Sequence, residues 1–170
     1  IYTGEDTLSL HDSLPIWTLA PGTGQFTVEM RYTPNSIASD MALYDSRPSG
    51  TNGWYITLFA MASGGISFHA NSVYRITTAT GLLANGVEAH IALSRDASGN
   101  WRIFVNGTQA GSTYTDANSY LNSAARPSIG VNGANMAVHF VNGKIRDLRV
   151  TTACRYAAAF TPPAVPFPNP

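Results

Sequence analysis

The sequence has little charge and almost no lysine. Aspartate, glutamate, lysine and arginine make up 12% of the 170 residues, about half of the ~25% that is usual, and the formal net charge is zero. Lys144 is the only lysine, and the arginines are scattered along the chain. Because the sequence has neither a basic patch nor a polybasic segment, we expect no nucleic-acid partner and no electrostatic membrane anchor.

Cysteine and long apolar runs are also scarce. Cys154 is the single cysteine, which excludes a disulfide within the chain and leaves the redox compartment open. No apolar run approaches the ~18 residues of a membrane-spanning helix, so we expect no membrane insertion. Hydrophobic residues still reach 44%, and 170 residues suit one domain with a sizeable core.

The first sixteen residues differ in character from the rest. Residues 7–16, Thr-Leu-Ser-Leu-His-Asp-Ser-Leu-Pro-Ile, resemble a translated sequencing adapter. The alternative is a genuine strand, because Leu8 and Leu10 alternate with polar residues. We expect residues 1–16 to be non-native or poorly ordered, residues 17–167 to form the domain, and residues 168–170 to be a tail or linker. The chain begins with Ile1, and we expect it to be a piece of a longer protein or a truncated reading frame.

Hydrophobic residues recur with period two along most of the chain, which is the pattern of β-strands. It predicts strands at residues 26–33, 41–45, 66–70, 73–77, 87–94, 101–105 and 108–112. Residues 54–61 have bulky side chains on both faces, which indicates a central strand or one that lines a cleft. Asn-Gly occurs five times, and at Asn106 it predicts a two-residue type I′ hairpin. Strands separated by such turns favour an all-β sandwich or barrel.

The C-terminal sequence predicts a bulged strand followed by a short helical turn. Ile145, Leu148 and Val150 are spaced three and then two apart, so one extra residue would turn Leu148 and Val150 toward the core. A plain edge strand is the alternative. Tyr156 and Phe160 are four apart, which predicts one short helical turn over residues 155–159 that Pro162-Pro163 ends.

Four segments resemble the concanavalin A-like, laminin-G-type jelly-roll domains. They are residues 24–34, residues 87–95 with 101–107, residues 128–130, and the closing stretch 143–167. The resemblance implies a two-sheet antiparallel jelly-roll sandwich. Because that ending is frequent in phage tail-fibre and surface proteins, it also implies an extracellular or virion-associated setting within a larger fibre or surface protein. Arg146 departs from the family pattern, in which aspartate is more common.

Three kinds of function are consistent with this resemblance. We favour a non-catalytic recognition module that binds a cell-surface glycan or polysaccharide. A structural spacer or protein-interaction domain of a fibre is the second, and a carbohydrate-active enzyme is the third. A hydrolase needs paired carboxylates, and no Glu-x-Asp-x-x-Glu pattern occurs. A lyase would need Arg102, His90, His69 and Tyr55 to meet on one sheet, whereas His90 more simply forms a bond across the sheet.

Aromatic and polar residues in loops are the candidates for sugar binding, because aromatic rings stack on the apolar face of a pyranose and amides or guanidinium groups bond its hydroxyls. The set is Arg47, Asn52, Tyr55, Tyr74, Arg75, Tyr114, Tyr120 and Asn132. Tyr114 and Tyr120 lie in a polar stretch, so we expect them to be exposed. No cofactor is required, but calcium is an occasional cofactor of the family that this chain resembles. Candidate loop ligands are Asp45, Asp96, Asn100, Asp116, Asn118 and Asn135.

Overall fold

The computed structural model describes residues 20–121, 127–164 and 167. The segment that resembles an adapter lies outside these ranges. Ten strands form two antiparallel five-stranded sheets. The strands are β1 (Phe26–Pro34), β2 (Met41–Asp45), β3 (Thr57–Ala60), β4 (Ile66–Ala70), β5 (Val73–Thr77), β6 (Ala89–Arg95), β7 (Asn100–Val105), β8 (Thr108–Thr115), β9 (Ser128–Ile129) and β10 (Gly143–Thr151). The predicted all-β jelly-roll sandwich is therefore confirmed.

The sheets are ordered β10-β1-β6-β7-β8, called the first sheet, and β5-β4-β3-β2-β9, called the second sheet. The period-two pattern sets which residues face inward. Val28 of β1 pairs with Leu93 of β6, and Leu93 pairs with Ile103 of β7, so one apolar row crosses three strands of the first sheet. All three are fully buried against the second sheet.

The core is built around Trp101, which is fully buried. Its ring lies 4.7 Å from that of Phe68 in the second sheet and 4.8 Å from that of Tyr120. Aromatic side chains of this size contribute much of the apolar area that a sandwich buries. The exposure predicted for Tyr120 is wrong, because its ring fills the core and its hydroxyl donates to Asp116.

The hairpin between β7 and β8 is the type I′ turn that Asn106-Gly107 predicts, with φ of 50° and 81° at these residues. Gly107 also packs directly under the chain near Phe160, whose N–H donates to the Gly107 carbonyl at 2.9 Å. A Cβ at position 107 would overlap the carbonyl oxygen of Phe160.

We therefore expect Gly107→Ala to lower the free energy of unfolding by about 1–3 kcal/mol, because it adds both a strained φ and a steric overlap. Urea denaturation measures the change. Gly81→Ala is the matched control, since Gly81 has φ of 77° with open space around it. Equal losses in the two variants would show that the contact with Phe160 does not matter.

Strand β10 contains the predicted bulge. Glu29 of β1 pairs with Arg149, whereas Arg31 pairs with Arg146, so β10 has one extra residue there. Val150 packs against the core as expected. The prediction for Leu148 is wrong: it is 38% exposed, because the bulge leaves this part of an edge strand unpaired.

No helical turn forms over residues 155–159, so that prediction is also wrong. The 3-10 turn of the described chain is instead Ala62–Gly64. Backbone groups after β10 bond to the first sheet instead of to each other: Thr27 Oγ1 donates to the Ala153 carbonyl and accepts from the Arg155 N–H. Tyr156 and Phe160 still stack, with ring centroids 3.6 Å apart. None of the helical segments in the described chain has the length and apolar character needed to cross a bilayer.

Candidate functional site

The outer face of the first sheet is covered by the C-terminal tail, defined as residues 152–164 and 167. The guanidinium of Arg31 donates to the Pro163 carbonyl at 2.6 Å. The ring of His90 lies 5.6 Å from that of Phe160 and 5.6 Å from that of Phe167. His90 also bonds to Glu29 across the sheet at 2.9 Å, as predicted. A ligand could reach this face only by displacing the tail.

The outer face of the second sheet carries a row of side chains that crosses four strands. Tyr74 of β5 pairs with His69 of β4, His69 with Thr57 of β3, and Thr57 with Asp45 of β2. Residues paired directly across an antiparallel sheet point to the same side, so these four share one face. Tyr74 is 50% exposed, and this face is therefore accessible at its β5 edge.

Four rings on this face form what we call the aromatic strip: Tyr74, His69, Phe59 and His139. The Phe59 ring is the centre, with centroids 6.4 Å from Tyr74, 6.3 Å from His69 and 5.5 Å from His139. His139 has φ of 57°, an uncommon value for a residue other than glycine, and its Nδ1 lies 3.1 Å from the Asp40 carbonyl oxygen. Unusual backbone of this kind clusters at functional sites.

Beside the strip lies a polar cluster formed by Asp45, Arg47, Asn52, Thr57 and Asn132. The Arg47 guanidinium donates to Asp45 Oδ2 at 2.7 Å and to Asn132 Oδ1 at 3.2 Å. A longer bond of 3.4 Å joins Arg47 Nη1 to Asn52 Oδ1. Asp45 is fully buried and Arg47 is 8% exposed, so the pair organises the cluster from below while Asn52 stays exposed.

The loop that holds Asn132 contacts the polar cluster through Gly133. The N–H of Gly133 donates to Asp45 Oδ2 at 2.9 Å. A Cβ at position 133 would lie 2.7 Å from the Arg47 carbonyl oxygen, so glycine is required for this approach. The contact brings the loop that holds Asn132 onto strand β2, from which it is distant in sequence.

Electrostatics keep His69 uncharged at neutral pH. Burial lowers the pKa of His69, and the nearby positive charge of Arg47 lowers it further, although Asp45 acts in the opposite direction. His69 is therefore a neutral imidazole near pH 7. Its buried Nδ1 has no hydrogen-bond partner among the described residues.

The structure brings together four of the eight predicted sugar-binding residues: Arg47, Asn52, Asn132 and Tyr74. The others lie elsewhere. Arg75 is sandwiched at the end between the sheets, with its guanidinium 4.7 Å from the Trp54 ring and 5.4 Å from that of Tyr114. Tyr120 is buried, and Tyr55 is half-buried at an isolated bridge to Leu121.

The six candidate calcium ligands do not converge on one site. Asp45 ends β2 instead of lying in a loop, and its carboxylate accepts from Arg47, Thr57 and Gly133. Asp96 forms an ion pair with Arg102, and Asp116 with Arg95. Asn100 bonds to Asp96, Asn118 to Asp116 and Asn135 to Asn132.

These residues therefore do not fit a calcium ion as they stand. No group of three or more histidine, cysteine, aspartate or glutamate residues suited to a metal occurs in the described ranges. The Arg102 hydrogen bond and those from Asn100 outweigh the upward effect of partial burial and lower the pKa of Asp96 to about 2. Calcium binding stays a prediction, and the binding described below does not use it.

Three residues of the strip, Phe59, His69 and His139, were not among the predicted binding residues. The sequence carried one signal for Phe59, namely the bulky side chains on both faces of residues 54–61. The four residues proposed for a lyase do not meet. His90 lies under the tail and Arg102 bonds to Asp96 on the first sheet, whereas His69 is on the second.

Comparisons with known proteins agree with this fold. The family model described as the concanavalin A-like lectin/glucanases superfamily matches residues 3–159. No protein in the curated comparison matches.

Among solved structures, a proposed carbohydrate-binding protein from Bacteroides ovatus is 18% identical with a TM-score of 0.63; the match covers 79% of this chain and 39% of that one. The CBM40 domain of a Ruminococcus gnavus IT-sialidase bound to α2,3-sialyllactose is 16% identical with a TM-score of 0.63, covering 81% and 80%. A SAP-like pentraxin from Limulus polyphemus is 15% identical with a TM-score of 0.57, covering 81% and 68%. At these identities the likeness shows the fold alone.

Proposed function

Because the chain belongs to the concanavalin A-like lectin/glucanase superfamily, we propose that it is a non-catalytic carbohydrate-binding module whose ligand lies across the outer face of the second sheet. One observation carries the proposal: the aromatic strip and the polar cluster lie side by side on the sheet face that the tail does not cover. Ligand sites typically combine apolar surface with a few fixed polar groups in this way.

The two halves of the site suit the two sides of a sugar. The exposed ring of Tyr74 offers a flat apolar surface to the C–H face of a pyranose. Asn52 is exposed and carries an amide that both donates and accepts, as sugar hydroxyls do, while Asn132 and Thr57 are buried behind it. Arg47 and Asp45 hold the cluster in place, so little side-chain freedom is lost on binding.

The carboxylates near the strip support binding over catalysis. Glycosidases place two carboxyl groups about 5–10 Å apart on either side of the scissile bond. Here the Asp45 carboxylate is fully buried and bonded to Arg47, and the Asp40 carboxylate accepts from the N–H of Ala62 at 2.7 Å. The Asp45 carboxylate is therefore not placed to act as an acid or a nucleophile, which leaves Asp40 without the paired carboxyl group that a glycosidase needs.

We further propose that the module belongs to a larger secreted or virion-borne protein such as a phage tail fibre. The closing residues 143–167 resemble those of such proteins, and the match to the Bacteroides ovatus protein covers 39% of that longer chain. A protein-interaction role is the second candidate. It is favoured by exposed apolar side chains next to the strip, with Phe140 at 59% and Met136 at 56%.

A glycan array that holds neutral and acidic glycans, read with calcium and with a chelator, tests the proposal. We expect binding to one group of related glycans in the presence of the chelator. Absence of binding to any glycan under both conditions would contradict carbohydrate binding and favour the protein-interaction role. Release of reducing ends from a bound glycan would contradict the non-catalytic assignment.

We expect Tyr74→Ala to weaken binding of the best array glycan by about 10- to 100-fold, because an exposed stacking ring is lost. Isothermal titration calorimetry gives the change in Kd. Val73→Ala is the control, since Val73 is 48% exposed beside Tyr74 but points to the opposite side of β5. A Tyr74→Ala variant that binds as tightly as the Val73→Ala variant would place the ligand elsewhere.

A further inference from the structure

Resting on the proposed function, we infer that the ligand is an uncharged internal stretch of a linear glycan, several sugars long, that lies along the aromatic strip. A terminal acidic sugar is the alternative, and the CBM40 domain of similar fold is bound to such a ligand, sialyllactose. Two independent features of the site distinguish these classes, namely its charge and the shape of its two ends.

The guanidinium on this face is already neutralised. Arg47 Nε donates to both oxygens of Asp45, at 3.0 and 3.1 Å, and Nη2 donates to Asp45 Oδ2 at 2.7 Å. This is the two-pronged pairing that arginine makes with a carboxylate. The same group would have to release Asp45 to bind a sugar carboxylate, which would leave Asp45 buried and unpaired.

The positive charge of Arg75 also lowers the pKa of His69, but its guanidinium is not available to a ligand on this face either. Arg75 is the extra residue of a bulge in β5, because Ile76 pairs with Phe68 and Tyr74 with His69, so its contacts and not strand alternation show where it lies. Its Nε donates to the Ala70 carbonyl at 3.1 Å, and its planar group lies over Trp54 and Tyr114. Neither guanidinium is therefore presented to a ligand on the strip.

The His69 imidazole on this face is neutral, and the carboxylate of Asp40, which lines the cleft beyond His139, does not attract an acidic sugar. His69 has a lowered pKa, through burial first and the charge of Arg47 second, and is uncharged near pH 7. The Asn132 amide is buried, and its Oδ1 accepts from Arg47 and from the N–H of Asn135, so it adds no charge to this face. Stacking and hydroxyl bonding, and not ion pairing, are what this surface can provide.

The strip is open at both ends. Tyr74 is 50% exposed at the β5 edge, and beyond His139 the surface continues into a cleft of about 480 Å³ lined by Asp40, Val138 and Phe140. The exposed rings of Tyr74 and His139 lie on either side of the buried Phe59 ring, whose centroid is 6.4 Å from the first and 5.5 Å from the second. A chain can pass along this surface, whereas nothing closes around a terminal sugar.

Calorimetry with two kinds of ligand tests the inference. One is the neutral glycan that binds best on the array, cut to lengths of one to six sugars, and the other is 3′-sialyllactose. We expect affinity to rise about tenfold or more between two and four sugars, with no measurable binding of sialyllactose. Sialyllactose binding as tight as that of the neutral series would overturn the inference and leave carbohydrate binding in place. A single sugar that binds as tightly as the longest one would do the same, whereas no binding of any glycan would overturn both proposals.

The substitution His139→Asn tests whether the ligand reaches the end of the strip that is farther from Tyr74. Asparagine tolerates the positive φ of position 139, so the loop is kept while the ring is lost. We expect the variant to weaken the six-sugar ligand about five- to tenfold and to leave the two-sugar ligand within about twofold. Equal losses for both lengths, or none for either, would contradict a ligand that extends from Tyr74 to His139.

Discussion

Replacing Asp45 with asparagine should lower the free energy of unfolding by about 3–5 kcal/mol, since removal of one partner leaves the other charge buried and unpaired. Asp45 is fully buried, and its pair with Arg47 at 2.7 Å has side-chain exposures of 0% and 7%. The same carboxylate accepts from Thr57 at 3.1 Å and from the N–H of Gly133 at 2.9 Å. The substitution therefore weakens contacts of β2 with β3 and with the loop that holds Asn132.

Urea denaturation followed by tryptophan fluorescence measures the loss. Asp147→Asn is the matched control: the Asp147–Arg146 pair has a similar 2.8 Å separation, but its side chains are 18% and 48% exposed, so less than about 1 kcal/mol should be lost. If the two variants lose the same stability, Asp45 does not organise the polar cluster. Since the cluster faces the ligand, Asp45→Asn should also weaken glycan binding at a temperature where the variant is folded.

Glu29→Gln should produce a loss of similar size, about 3–5 kcal/mol, and should also loosen the tail. Glu29 is fully buried beneath the tail. Its carboxylate accepts from the Tyr156 hydroxyl at 2.7 Å and from Arg149 Nε at 2.9 Å, and Arg155 Nε lies 3.3 Å from it. One buried negative charge thus joins β10 and the tail to the first sheet.

Limited trypsin digestion distinguishes tail release from general unfolding, because Arg155 lies within the tail. We expect cleavage after Arg155 in Glu29→Gln at urea concentrations where the wild-type chain resists. Glu88→Gln is the control, since the paired side chains of Glu88 and Arg146 are 30% and 48% exposed. Tail cleavage that is no faster in Glu29→Gln than in Glu88→Gln would show that Glu29 does not hold the tail.

The same carboxylate makes stability depend on acid. Burial raises the pKa of Glu29, but hydrogen bonds from His90, Tyr156 and Arg149 lower it more, so the pKa lies below its ordinary value of 4.5. A lowered carboxyl pKa stabilises the fold above the ordinary value, and the stabilisation is lost as pH falls below 4.5 and through the folded pKa. Denaturation at pH 3, 4 and 6 should show this loss in the wild type and much less of it in Glu29→Gln.

The strands were largely predictable because they depend on neighbours in sequence. The predicted bounds of β2, β4 and β5 agree with those observed, and so does the hairpin at Asn106-Gly107. Local alternation and turn chemistry decide these features. The helical turn failed because the spacing of Tyr156 and Phe160 reflects ring stacking, while the backbone of the tail bonds to the distant Thr27.

The site was only partly predictable because it depends on pairings between distant residues. Arg47 and Asn132 were each proposed as loop residues of a sugar site, whereas the bond between them spans 85 positions and depends on the fold. Asp45 was interpreted as a calcium ligand because the sequence placed it where a strand gives way to a loop. Only the fold shows that it lies under Arg47. His69 joins the strip through the order of strands in the second sheet, and His139 through the bond of its carbonyl with the N–H of Ala42 in β2; period-two patterns contain neither.

The most direct test of where the ligand binds is a titration of ¹⁵N-labelled protein with the best neutral oligosaccharide, followed by amide chemical shifts. We expect the largest shifts at β3–β5 and in residues 46–53 and 131–140, which surround the aromatic strip and the polar cluster. Amides of β1, β6 and the tail should stay nearly unchanged. Shifts concentrated instead on the first sheet and its tail, or at Trp54 and Tyr114 alone, would contradict a binding site on the open face of the second sheet.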